Sequence, residues 1–191
     1  MRFGGVYASQ FATSMRYLER FVDDAIRPYV DRYGDVATRW YGRLMAAPQT
    51  LIHNDAHGAN ALFERRSGGA VAMIDWQGWQ PGPGISDIAR LITISLAPER
   101  RRAAEDALVA DYVAALASRG IEYPLADALA DYRIGSGWQW GWAVVFSRRA
   151  PLWSAGTREL MHVLVPRAIE ALRDAGDGGL LSALEGRAGS A

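Results

Sequence analysis

Between residues 50 and 87 the chain abandons the periodicity that governs the rest of it. On either side, apolar residues recur every three or four positions, the pattern of helices that bury one face. Inside the interval, short apolar runs alternate with Gly, Asn and Pro. One stretch, Leu51-Ile52-His53-Asn54-Asp55-Ala56-His57-Gly58-Ala59-Asn60, sets five polar side chains in eight residues directly after an apolar pair. A chain with this texture can fold as a mainly α body carrying one small β-hairpin. The polar residues that no helix face requires all fall in the β region.

The helical parts can be bounded from their punctuation. Phe11, Met15, Leu18, Phe21, Val22, Ile26 and Tyr29 predict one long helix over 7–32, kinked at Pro28, and residues 36–47 a second, stopped by Pro48. Further helices are expected over 87–96, over 98–119 with Pro98 in the first turn, over 124–149, and over 157–175. Residues 1–175 are expected to form one lobe and 176–191, rich in Gly, Ala and Ser, a flexible tail.

Composition narrows the chemistry. Acidic and basic residues balance at 21 each, so the excess of positive charge expected of a nucleic-acid binder is absent. Arg100-Arg101-Arg102 is followed by Glu105 and Asp106 and is expected to be a solvated helix face. There is no cysteine, which excludes disulfides and thiolate metal sites and suits a cytoplasmic location. No leader-like start and no membrane-length apolar run is visible. All 21 basic residues are arginine, so this chain brings no lysine to a nucleotide phosphate.

Strand-like runs occur at Leu51-Ile52, Ala61–Phe63 and Val71–Ile74, with a turn signal at 65–69. Centring the turn near Ser67-Gly68 pairs 61–64 with 71–74 and sets Asn60 opposite Asp75. An amide oxygen and a carboxylate at the open end of a ribbon are hard ligands of the kind Mg²⁺ accepts while it keeps water and phosphate oxygens in its other positions. Asp55, on the entering loop, is placed to accept the proton of an attacking hydroxyl.

His53-Asn54-Asp55, with Asn60 five positions after the aspartate, and then Ile74-Asp75-Trp76, resemble the catalytic loop and metal-binding segment of the aminoglycoside phosphotransferase and choline kinase-like family. There the loop runs His-Gly-Asp, four residues, Asn. The resemblance implies the C-terminal lobe of the protein kinase-like fold, with the N-terminal β lobe absent from these residues. It implies Asp55 as catalytic base, Asn60 and Asp75 as Mg²⁺ ligands, His57 near the transferred phosphate of ATP, and Asp87 as a brace for the loop. The substrate implied is a small-molecule alcohol or amino-alcohol, with neither nucleic acid nor membrane as partner. A missing N-terminal lobe or a second copy of the chain would cover an exposed apolar patch. The reading from another class is a truncated, non-catalytic pseudokinase-like binding module, which the absence of lysine favours.

Other residues carry blander readings. His53 is expected to be structural, bonding backbone beneath the loop. His57 is open between a phosphate contact and a surface residue, and His162 is expected to be packed in a helix. Trp138, Trp140 and Trp142 alternate along a helix, so at least one should be core. Asp127 and Asp131 share a helix face that could meet a cationic acceptor, and Gly82-Pro83-Gly84 is expected to be a rigid turn.

Overall fold

The structure is a computed structural model describing residues 3–64 and 69–177, and it divides into two compact units. Residues 1–43 with 136–191 form the first, and 44–135 the second. The predicted tail lies outside the described residues apart from 176 and 177, which continue the last helix.

The first unit is helical. Its chain runs through α1 (Phe3–Leu18), α2 (Arg27–Leu44, the last residue falling in the second unit), α6 (Gln139–Ser147) and α7 (Ala155–Asp177). The single helix expected over 7–32 is instead two. A 3-10 turn at Glu19–Phe21 ends α1, and Asp23 closes the gap by accepting the Ile26 N–H on Oδ1 at 2.9 Å. Pro28 then opens α2 rather than kinking a longer helix, because its missing N–H costs nothing in a first turn. The second helix expected over 36–47 is the continuation of α2. Tyr33, Trp40, Trp140 and Leu172 are fully buried here. Ser14 donates to the Val144 carbonyl at 2.6 Å, and the Trp140 indole to the Tyr7 hydroxyl at 3.1 Å, so α1 and α6 are joined by polar contacts as well as by packing.

Of the three alternating tryptophans, Trp140 is core. Trp138 lies against Tyr41 with ring centroids 5.6 Å apart, and Trp142 stacks on Phe146 at 4.9 Å. The helix expected over 124–149 is broken at Trp138 into α5 (Leu125–Gly137) and α6. His162 is exposed, with its ring edge near Phe21.

The second unit holds all the β-structure. β1 (Gln49–Ile52) pairs antiparallel with β4 (Gln80–Pro83), and β2 (Ala61–Phe63) with β3 (Val71–Met73). The stretch expected as a turn at Gly82-Pro83 is therefore the end of a strand. Its prolines are tolerated because a two-stranded sheet is all edge. α3 (Gly84–Ser95) packs against β1 and α4 (Pro98–Ala117) through Ile85, Ala89, Ile92 and Ile94. Arg101 corrects the expectation of a solvated basic face. It is 2% exposed and bonds Glu105 at 2.9 Å, and Glu105 also accepts the Tyr132 hydroxyl at 2.7 Å. Among the described residues no helix is long and apolar enough to cross a membrane.

Candidate active site

The loop between β1 and β2 is built onto one face of α3. Asp87, in the helix's first turn, accepts the His53 N–H on Oδ2 at 2.5 Å and the Asn54 N–H on Oδ1 at 2.9 Å. One turn on, Arg90 reaches Asp55. At the helix end, the Ser95 hydroxyl accepts the Gly58 N–H at 2.8 Å. Asp87, Arg90 and Ser95 thus fix the loop to α3 at three levels along the helix.

Asn54 stands at φ 66°, a left-handed conformation that Asn adopts more readily than other residues with a β-carbon. The kink this produces lets His53 turn inward. His53 is 2% exposed, and its Nε2 lies 2.8 Å from the Ile74 carbonyl while its Nδ1 accepts the Asp55 N–H at 3.2 Å. These two partners require the proton on Nε2. The imidazole thus ties the end of β3 to the backbone of Asp55, a structural role.

Arg90 donates from Nε and from a terminal nitrogen to Asp55 Oδ1, at 3.2 and 2.5 Å. The arginine side chain is 5% exposed and the aspartate side chain 35%. Burial pulls the Arg90 pKa down, and the facing Asp55 carboxylate opposes that shift. His57 Nε2 lies 3.7 Å from the same oxygen. His57 is buried, and burial lowers its pKa, with Asp55 acting against the shift and Arg90 with it, so the ring is neutral at pH 7.

Asn60 donates from Nδ2 to the Asp55 carbonyl at 3.0 Å, which fixes the amide orientation and leaves Oδ1 without a partner among the described residues. The β2–β3 register pairs Ala61 with Met73, and Ile74 donates its N–H to the Asn60 carbonyl at 2.9 Å. Asn60 therefore faces Ile74, not Asp75. The register is one residue off the pairing that the turn signal suggests, and residues 65–68 lie outside those described. A one-residue slip would ordinarily send a side chain to the opposite face. Here Asp75 is at φ 65°, and a single 3-10 turn, Trp76–Gly78, follows, so the regular alternation ends before Asp75. Asp75 is exposed and has no hydrogen-bond or ion-pair partner among the described residues, and it is close enough to His57 to act on its ionisation.

The donor set can be tested against the divalent ion it would hold. Among the described residues no three His, Cys, Asp or Glu side chains cluster as a self-sufficient metal cage. One amide oxygen and one carboxylate, neither satisfied by protein, fit an ion such as Mg²⁺ that completes its shell with water and phosphate oxygens.

Arg90 and Ser95 escaped the sequence reading. An arginine inside Ile88-Ala89-Arg90-Leu91-Ile92 was a usable signal, because a charge among helix-face apolar residues must find a buried partner. Asp131 is 5% exposed and accepts the Tyr123 hydroxyl at 2.8 Å, so it is not on offer to a cationic acceptor, while Asp127 is exposed.

Similarity to known proteins agrees with this geometry. A stretch of 59 residues is 36% identical to an uncharacterized kinase-like protein of Caenorhabditis elegans, covering 31% of this chain and 16% of that protein. The chain thus spans only a small part of the length of that relative. No solved structure matches it. The profile of the phosphotransferase enzyme family matches residues 8–144, most of the chain and the whole of the loop, hairpin and α3 assembly, and the chain belongs to that family.

Proposed function

We propose that the chain carries the catalytic site of an ATP-dependent kinase that phosphorylates a hydroxyl group of a small molecule in the cytoplasm. The observation that carries this reading is the state of the Asp55 carboxylate. One oxygen is held by Arg90, and the other has no partner among the described residues on a side chain 35% exposed. An acceptor hydroxyl bonded to that free oxygen would be oriented and relieved of its proton as the O–P bond forms. Asn60 Oδ1 and Asp75 would hold Mg²⁺, which would neutralise charge on the phosphates being separated. His57, neutral and beside Asp55, would donate a hydrogen bond toward the transferred group. Placement and charge neutralisation are the main needs of phosphoryl transfer, and these residues supply both.

The fold we assign is the C-terminal lobe of the protein kinase-like fold, residues 1–175 acting as one lobe, and the nucleotide clamp is not supplied by this chain. Leu51, Leu62, Phe63, Val71 and Trp79 are each more than half exposed. Exposed apolar side chains of this kind suit cover by a β-rich N-terminal lobe or a second copy of the chain. A second reading, a pseudokinase-like binding module, draws on the absence of lysine.

Transfer of labelled phosphate from Mg-ATP to a panel of small alcohols and amino-alcohols, by the whole gene product and its Asp55→Asn variant, tests the proposal. Transfer that depends on Asp55 is expected. Transfer unaffected by the substitution would overturn the assignment of the base. Mg-ATP binding without transfer to any acceptor would favour the binding module.

A further inference from the structure

A second constellation lies in the first unit and shares no residue with the loop, hairpin and α3 assembly. A pocket of about 360 Å³ opens between residues of α1, the end of α6, the following turn and the start of α7. Its lining includes Arg16, Arg20, Arg148 and Arg158 and contains no Asp or Glu. The chain as a whole is neutral, so four cations without an acid around one pocket is a local imbalance. None of the four has a carboxylate partner among the described residues. Arg20 bonds the Tyr17 carbonyl at 2.9 Å and lies over the Tyr17 ring, and Arg158 bonds the Trp153 carbonyl at 3.0 Å. The Arg16 and Arg148 side chains have no hydrogen-bond or ion-pair partner among the described residues.

The second observation is independent of charge. Ser147 lines the same pocket, is 1% exposed, and its hydroxyl has no hydrogen-bond partner. The Tyr17 hydroxyl, also from the lining, is buried and equally unpartnered. Leaving a buried hydroxyl unpaired is unfavourable, and native proteins rarely do so without a role for the group. Two such donors beside four guanidinium groups describe a site whose partner is an oxyanion. Burial raises the Tyr17 pKa while Arg20 and Arg158 oppose that shift, so the phenol stays protonated and able to donate.

The geometry points to a binding site for a phosphorylated small molecule carrying two or more negative charges, such as a diphosphate ester. Guanidinium groups match phosphate oxygens with paired donors, and Ser and Tyr hydroxyls add neutral ones. The volume falls within the range of small-molecule pockets, about 300–1,000 Å³, and leaves space for an organic part beside the phosphates.

Calorimetric titration of the full chain with inorganic pyrophosphate, at low salt and with EDTA present, tests the site without a divalent ion at Asp75. Saturable one-to-one binding is expected, and it should weaken about tenfold or more in the Arg16→Gln/Arg148→Gln variant. Neither side chain has a structural partner, so the variant should fold. Ser147→Ala, which leaves charge unchanged, should weaken binding by a smaller factor, and Asp75→Asn should leave it intact. Absence of saturable binding in the unaltered chain, or equal affinity in the arginine variant, would overturn the proposal. Stronger binding of an oligonucleotide than of pyrophosphate, lost with the same arginines, would overturn its assignment to a small ligand.

Discussion

Arg90 spends two donors on a single oxygen of Asp55, and the other oxygen of that carboxylate has no partner among the described residues. The consequence is a carboxylate whose orientation is fixed while one of its oxygens stays open, as the proposed role of base requires. A symmetric bidentate pair would have blocked both oxygens.

Two substitutions separate chemistry from placement at this pair. Asp55→Asn should lower kcat by about 10²–10⁴-fold, the usual range for a lost general base, with little change in KM. Arg90→Met should lower kcat by about tenfold through loss of orientation. It should also cost about 2 kcal/mol of stability, below the range for a fully buried pair because Asp55 is a third exposed. Arg90→Lys should not restore kcat, since one ammonium cannot reproduce the two-donor fork. Steady-state kinetics with thermal unfolding would check each. A fully active Arg90→Met enzyme would show that the tether does not position the base.

Asp87 supports the loop from below through two backbone N–H groups, one on each oxygen. Asp87→Ala should therefore destabilise the protein by about 2–3 kcal/mol, because two charge-assisted bonds vanish together. Asp87→Asn keeps one acceptor oxygen and should cost roughly half as much. Denaturant unfolding of the three proteins should rank them in that order, and equal stability of the Ala and Asn variants would refute the two-point brace.

Much of this arrangement could be read from the chain before any coordinates. The polar run 53–60 after an apolar pair, and the aspartate ending a strand-like segment, singled out Asp55, Asn60 and Asp75 as candidates. Asn54, which replaces the glycine of the resembling loop pattern, stands at φ 66°, a conformation that the glycine could have signalled. The failures share a physical cause: they concern chain direction, not residue type. Pro28 fits a kink and a helix start equally well by sequence, and only the Asp23 cap decides between them. The hairpin register depended on where a turn of permissive residues is centred. Local composition does not encode that to one residue, yet one residue was enough to set Asn60 against Ile74. Arg90 lay in plain view, but its partner was 35 positions away.

Asn54 permits a sharp test of backbone conformation. At φ 66° a glycine fits without strain, while alanine has no side chain to compensate its β-carbon. Asn54→Gly should change stability by only a few tenths of a kcal/mol, whereas Asn54→Ala should cost about 1 kcal/mol. Asn54→Ala should also reduce kcat, since the kink delivers Asp55. Chemical unfolding of both variants decides the matter, and an alanine variant as stable as the parent would mean that residue 54 carries no strain.

His57 gives the chain a predictable response to acid. Burial lowers its pKa below the ordinary 6.5. As pH falls through that value, the unfolded chain takes up the proton first, and the equilibrium shifts toward unfolding until the folded ring protonates too. The stability contributed by a neutral His57 is thus complete above about pH 6.5 and is lost as pH drops toward its folded value. His57→Gln removes this linkage and leaves His53, His162 and every carboxylate in place. Melting temperatures measured between about pH 7 and pH 5 should therefore fall more steeply for the parent than for His57→Gln. Parallel slopes would mean that His57 is protonated as readily in the fold as in the open chain, and that burial does not hold its ring neutral.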